Sequence, residues 1–347
     1  MHFCGQDLPV DTQEIDCVNE SIDSLAPLRG MAKLRRLRLS FTDPHVSQVH
    51  SLVDLSPLRG MESLEILEIP ESEVSDLGSL KGLRNLTSLD LHSTCVQDLS
   101  PLRGLTNLQR LNLADTRVKD LEALKNLPKL ISLRVNSTAI TSLEPLRGMK
   151  KLEELAIYET AVVDLTPIAD LRVVREGTRL DLGSTRVLAL DALERAAHLK
   201  ELFLFNTPVK DLEPLRHMTQ LECLRLDNTQ VEDIGPLKDL AGLTRLSLSG
   251  TPVTDLSALG GLVGLRELDL EGTKIMDLEP LRRLGRLEEV VLARTMVRDL
   301  APLSGLYNLK TLDLRGTAIT DDQVSGIKKS LPGLTVLSSP ASGGQQG

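Results

Sequence analysis

Residues 108–129 read Leu108-Gln-Arg-Leu111-Asn-Leu113-Ala-Asp-Thr116-Arg-Val118-Lys-Asp120-Leu121-Glu-Ala-Leu124-Lys-Asn-Leu127-Pro-Lys129, and the next residue, Leu130, begins the same pattern again. The Leu-x-Leu core of this stretch alternates with period two, as a short strand with one face turned inward does. Asp120 and the leucines after it change that period, which predicts that the chain turns and travels back over the other side through a short helix or 3-10 turn. Asp at the start of such a turn can cap it, and Pro, which follows soon after in many copies, is tolerated in a first turn.

Outward from this stretch the copies follow in phase. Thr94, Thr116, Thr138 and Thr160 are spaced by 22 residues; after a step of 25 to Thr185 the spacing of 22 resumes through Thr207, Thr229, Thr251, Thr273, Thr295 and Thr317. So strict a period implies stacked units, none able to bury its apolar face alone. Fourteen units and a final strand at Leu334–Val336 predict one continuous right-handed α/β solenoid. Its parallel sheet of about 14 or 15 strands lines the concave face, and its convex segments are short 3-10, helical or extended pieces. The threonine column reads as a structural ladder whose hydroxyls satisfy buried backbone groups between rungs.

Composition agrees. Hydrophobic residues make up 41% but aromatics only 2%, with no Trp, as expected of identical slots filled by aliphatic side chains. A net charge of −9 argues against a sequence-independent nucleic-acid binder, which needs a positive field. No apolar run predicts membrane insertion. The N-terminus lacks the basic and apolar regions of a signal peptide. Cys4, Cys17, Cys95 and Cys223 are scattered without ligand spacing. Both features point to the reducing cytoplasm, the alternative being an effector secreted without a cleavable signal. The sequons at Asn19, Asn85 and Asn136 read as chance.

Segments such as 99–113 (Leu-Ser-Pro-Leu-Arg-Gly-Leu-Thr-Asn-Leu-Gln-Arg-Leu-Asn-Leu) resemble the 22-residue leucine-rich repeats of bacterial internalins. They are also similar to the repeats of the eukaryotic phosphatase-1 regulatory subunit. The resemblance implies a curved, leucine-rich-repeat horseshoe that binds a ligand, and no particular ligand. It departs from the usual pattern in using Thr where Asn commonly forms the ladder.

The repeat is irregular in two places. Eight residues are inserted within 43–50, where Asp43, His45 and His50 form only a weak metal pattern. Three are added near Leu171–Leu180, after which 190–198 lacks the usual Asp and Pro and favours a longer helix. The expected organisation is a short cap or tail at 1–12 and the solenoid at 13–320, irregular at 43–50 and 171–198. A capping helix and strand at 321–336 and a disordered tail at 337–347 follow.

Three aromatics occupy outward strand positions: Tyr158, Phe203 and Phe205. Phe203 and Phe205, two apart, face the same way. Gly183, in the column of Tyr158 and Phe205, leaves a dip. Glu153, Glu154, Glu159, Asp181, Glu201 and Asp227 surround them, Cys223 and Arg225 lie one strand on, and Arg35, Arg36 and Arg38 reverse the charge near the N-terminal end. Apolar anchors ringed by charge suit a protein partner bound on the concave face. The convex basic column (Arg29, Arg59, Lys81, Arg103, Lys125, Arg147, Arg216, Lys238 and Arg282) reads instead as helix-end complementarity and pairing with acids three residues earlier. No catalytic, metal or cofactor constellation emerges. The reading is therefore a monomeric, non-enzymatic protein-interaction scaffold, with end-to-end contact open at the N-terminal edge. A subunit regulating an enzyme such as a phosphatase, and a translocated bacterial effector that binds a host protein, are the alternatives.

Overall fold

A computed structural model describes residues 2–40 and 51–338. The insertion carrying Asp43, His45 and His50, and the tail from 339 onward, lie outside the described residues.

The fold begins with a hairpin of β1 (His2–Phe3) and β2 (Gln6–Asp7), paired antiparallel. A parallel sheet follows, in chain order: β3 (Glu14–Val18), β4 (Arg36–Ser40), β5 (Ile66–Glu68), β6 (Ser88–Asp90), β7 (Arg110–Asn112), β8 (Ser132–Arg134) and β9 (Glu154–Ala156). A second parallel sheet, again in chain order, holds β10 (Arg179–Asp181), β11 (Glu201–Phe203), β12 (Cys223–Arg225) and β13 (Arg245–Ser247). It continues through β14 (Glu267–Asp269), β15 (Glu289–Val291), β16 (Thr311–Asp313) and β17 (Thr335–Leu337).

Each rung is built from the same local chemistry. The two leucines of the strand, such as Leu111 and Leu113 or Leu202 and Leu204, point inward and are buried. Burial of each such side chain is worth about 1.5–3 kcal/mol, which holds rungs together although single strands are only three residues long. Three residues past the strand the backbone takes a positive φ: at Ser93, Asp115, Ser137 and Glu159 in the first unit, and at Ser184, Asn206, Asn228 and Arg294 in the second. Here the chain turns from the sheet toward its return segment.

The return segment contains a 3-10 turn, for example Glu122–Leu124 or Glu213–Leu215. The aspartate before it accepts a hydrogen bond from the backbone two residues on, as Asp120 does from the Glu122 N–H (2.7 Å) and Asp211 from the Glu213 N–H (2.8 Å). At 190–198 the structure has the same short turn (Asp191–Leu193) rather than the longer helix that Ala and Glu content suggests. Leu193 and Ala196 are buried in the places where other rungs bury theirs, so packing overrides propensity.

The threonine column is buried from Thr94 to Thr295 and half-buried at Thr317, but it does not connect rungs. Each hydroxyl donates to the carbonyl three residues earlier in its own rung: Thr116 to Leu113 (2.7 Å), Thr207 to Leu204 (2.6 Å), Thr229 to Leu226 (2.7 Å). The bond closes the turn out of the strand. Rung-to-rung bonds here are made by backbone, as in the Asn206 N–H to the Asp227 carbonyl (2.7 Å) and the Gln230 N–H to the Val209 carbonyl (2.9 Å). Side chains add to them on the return side, where Asn85, Asn107 and Asn308 donate to the carbonyls of Glu62, Arg84 and Gly285 on the preceding rung.

The expectation of one uninterrupted sheet fails. β9 and β10 are not hydrogen-bonded neighbours, and the chain divides into two compact units, residues 1–173 and 174–347. The three extra residues are taken up by a four-residue helix, α1 (Arg172–Arg175), which buries Val173 and Val174 in place of extending the ladder. Among the described residues the number of rungs nevertheless agrees with expectation, seven strands in the first parallel sheet and eight in the second.

Both ends are finished differently from the repeats. At the N-terminus Phe3 is 4% exposed, the hairpin packs on the first 3-10 turn, and a disulfide joins Cys4 to Cys17 on β3. The cysteines thus do not read as four free thiols, because the turn of the hairpin brings Cys4 beside the first rung. At the C-terminus α2 (Asp321–Ser330) starts with a capping box: Thr320 accepts from the Gln323 N–H, and Gln323 accepts from the Thr320 N–H. Ile327 is buried, and the Gln323 amide donates to the Arg298 carbonyl (2.6 Å).

Candidate binding surface

The open face of the second sheet carries its outward residues in straight rows, because parallel strands in register set equivalent positions side by side. One row runs Asp181, Phe203, Arg225, Ser247, Asp269, Val291 from β10 to β15; its neighbour runs Arg179, Glu201, Cys223, Arg245, Glu267, Glu289. All of them but Asp181 line a groove of about 540 Å³ over β10–β15.

The two phenylalanines are brought together as the period-two argument requires, but neither stands bare. The Arg179 guanidinium lies 4.7 Å from the centre of the Phe203 ring, and Arg225 lies 4.9 Å from that of Phe205. The Phe205 ring also fills the space above Gly183, so the expected dip is occupied. Both rings are half-buried. Such cation–π contacts hold the arginines flat and leave their edges free for hydrogen bonds.

Ion pairs knit the same end of the groove. Glu201 lies 3.6 Å from Arg179 and 3.4 Å from Arg245, and Arg225 pairs with Asp227 at 3.1 Å. Asp227 also accepts from the Ser247 hydroxyl. Asp181 accepts from the Gly183 N–H (3.0 Å) and faces Arg179. Cys223 lines the groove but is only 5% exposed, and burial pushes its thiol up, which disfavours the thiolate.

In the first unit, Tyr158 is half-buried at the outward position after β9. The arginines at the N-terminal end are not a free positive patch: Arg35 pairs with Glu65 (2.7 Å), Arg36 with Glu14 (2.9 Å) and Arg38 with Glu68 (3.0 Å). Their partners lie on adjacent rungs, a neighbourhood visible in sequence only once the rungs are aligned. On the return side Arg147, Arg216 and Arg282 pair with Glu144, Glu213 and Glu279, as the spacing of three predicts.

A cluster absent from the sequence-based candidates sits on the first sheet. The His92 ring nitrogen Nδ1 is 2.8 Å from Asp90, Nε2 is 3.8 Å from Glu71, and Asn112 donates to Asp90 (3.1 Å). The hydrogen bond to Asp90 raises His92 above the ordinary histidine value against the opposing effect of burial. For Asp90, burial acts to raise the carboxyl, but the His92 and Asn112 hydrogen bonds outweigh it and leave it lowered. The signal was present in the Asp-x-His spacing, which puts both side chains on one strand face.

Among the described residues no helix is long and apolar enough to cross a membrane. A family model for leucine-rich repeats, each match spanning two copies, fits residues 84–126, 106–148, 197–239 and 241–283. No curated protein matches the chain. Among solved structures, it is similar to an internalin from Listeria monocytogenes at 26% identity and a TM-score of 0.74, over 95% of this chain and 87% of that one. A leucine-rich-repeat protein from Leptospira interrogans shares the fold at 20% identity and a TM-score of 0.79, over 94% and 90%. So does the ectodomain of a plant membrane receptor kinase from Arabidopsis thaliana, in complex with Casparian strip integrity factor 2, at 16% and 0.60, over 94% and 50%. Proteins of this fold commonly mediate protein–protein interaction and are typically scaffolds rather than enzymes. The chain is a leucine-rich-repeat protein with internalin-like repeats.

Proposed function

We propose that the protein is a non-enzymatic recognition scaffold that binds a partner protein on the open sheet face of its second unit. The observation that carries this reading is the groove over β10–β15, walled by Phe203 and Val291 and lined with charges of both signs. Neither Phe203 nor Phe205 is required by the leucine core, and aromatic and arginine side chains together are the usual composition of an interface centre. Tyr158, on the first unit, is a separate candidate contact of that unit. The paired Arg36 and Arg38 contribute to binding only if a partner displaces Glu14 and Glu68.

The Cys4–Cys17 disulfide favours an oxidising compartment, and hence the secreted alternative, over the cytoplasm.

The test is titration of a partner captured by affinity pull-down. Phe203→Ala should weaken binding by about 2 kcal/mol or more if the ring is an anchor. Arg103→Ala, on the return side, should leave it unchanged. Loss of binding in Arg103→Ala with retention in Phe203→Ala would move the site to the basic convex column.

A further inference from the structure

The groove of the second unit is electrically divided, and the division specifies what it can hold. At the β10–β13 end every arginine has a carboxylate partner: Arg179 and Arg245 share Glu201, and Arg225 holds Asp227. At the β14–β15 end Glu267, Asp269 and Glu289 line the same groove, and among the described residues no basic side chain forms an ion pair with any of them. Val291 sits beside Asp269 on the next strand, so the acidic end also has an apolar wall.

We propose that this groove seats an extended segment of a partner protein, with a lysine or arginine side chain on Asp269 and Glu289 and an apolar side chain on Phe203. The inference rests on the recognition reading given above and adds the chemistry of the ligand. Charge complementarity decides the sign: three arginines (Arg179, Arg225, Arg245) stand against five carboxylates (Glu201, Asp227, Glu267, Asp269, Glu289) in the lining, and the last three form no ion pair among the described residues. Asp269 reports the same imbalance. Burial, with the charges of Asp227 and Glu271, outweighs the Glu271 N–H and the Arg225 charge and holds its carboxyl above the ordinary value, so a further cation brought there relieves an existing penalty. The aliphatic stem of a lysine or arginine lies naturally along Val291 while its head reaches the carboxylates.

Row geometry sets the spacing. Phe203 and Asp269 belong to one row and are three strands apart, about 14 Å at the usual strand separation of about 4.8 Å. An extended chain advancing about 3.4 Å per residue covers that distance in about four residues, an even number that leaves both side chains on the same face. The expected ligand motif is therefore a basic and an apolar residue separated by about four positions, in either direction.

The experiment selects a random dodecapeptide library on phage against the full chain, then titrates the recovered peptide by calorimetry. The expected result is enrichment of Lys or Arg four positions from an apolar residue. Asp269→Asn and Glu289→Gln should each weaken the selected peptide by about tenfold, with Glu232→Gln, outside the groove, binding as the parent. Asp269→Asn keeps the oxygen that accepts the Glu271 N–H, and an unchanged melting temperature verifies its fold. Recovery of no binding peptide, or of peptides without basic enrichment, overturns the proposal, as does unaltered binding to both variants. Peptides that need Phe203 but ignore Asp269 and Glu289 overturn the ligand chemistry alone; peptides indifferent to all three overturn the recognition reading as well.

Discussion

The ring of Phe205 lies directly over Gly183, its register neighbour one strand earlier, and occupies the volume where a side chain at that position would be. The aromatic pair on this face therefore depends on a missing Cβ. Gly183→Ala should drive the ring out of its slot and away from Arg225, at a cost of about 1–3 kcal/mol in a denaturant titration. With Phe205→Ala also in place the clash has no second partner, so the two changes should be strongly non-additive. Simple addition of the two single-variant costs would show that the ring does not rest on Gly183.

Thr229 closes its turn with a buried hydroxyl, 4% exposed, on the Leu226 carbonyl at 2.7 Å, and its own N–H reaches the same carbonyl at 3.2 Å. Thr229→Val preserves shape and leaves that carbonyl one donor. The expected destabilisation is thus at the lower end of the range for an unsatisfied buried group, about 1 kcal/mol. Because the bond is internal to one rung, combining Thr229→Val with Thr251→Val should give nearly additive losses in thermal unfolding. A cooperative loss would indicate the rung-to-rung ladder that the sequence suggests.

The Asp90–His92 pair makes stability depend on pH. His92 is raised in the folded protein, chiefly by its hydrogen bond to Asp90. Its contribution is complete below the unfolded histidine value of 6.5 and fades as pH climbs through the folded one. Asp90 is lowered on balance, so its contribution holds above the unfolded value of 3.8 and fades as pH falls through the folded one. The parent should therefore exceed His92→Gln in stability most clearly between those limits, in weakly acidic solution. A stability difference that stays constant or grows above neutral pH in parallel melts would contradict this pairing.

Thiol chemistry distinguishes the ends of the chain. Alkylation of unfolded, unreduced protein should label Cys95 and Cys223 and spare Cys4 and Cys17. Reduction should lower stability by on the order of 3 kcal/mol, as for a crosslink closing a short loop. Labelling of all four cysteines without reductant would show that Cys4 and Cys17 are not joined.

What the sequence determined by itself is the rung. Leucines recurring every 22 residues have no other way to leave water than by stacking, and Asp120 or Asp211 caps its turn through a bond only two residues long. Information of that range survives in a linear reading. So does the basic–acidic spacing of three that pairs Arg147 with Glu144. Where the rungs stop being equivalent, tertiary structure decided. The three residues added after Leu171 could have bulged from a continuous ladder; burial of Val173 and Val174 in α1 instead ends one sheet at β9 and begins another at β10. Cys4 meets Cys17 because a hairpin turns back, Arg36 and Arg38 are neutralised from adjacent rungs, and the phenylalanines acquire arginine covers. Each of these depends on which side chains stand opposite one another across strands about 4.8 Å apart, a relationship made by packing and carried by no single stretch of chain.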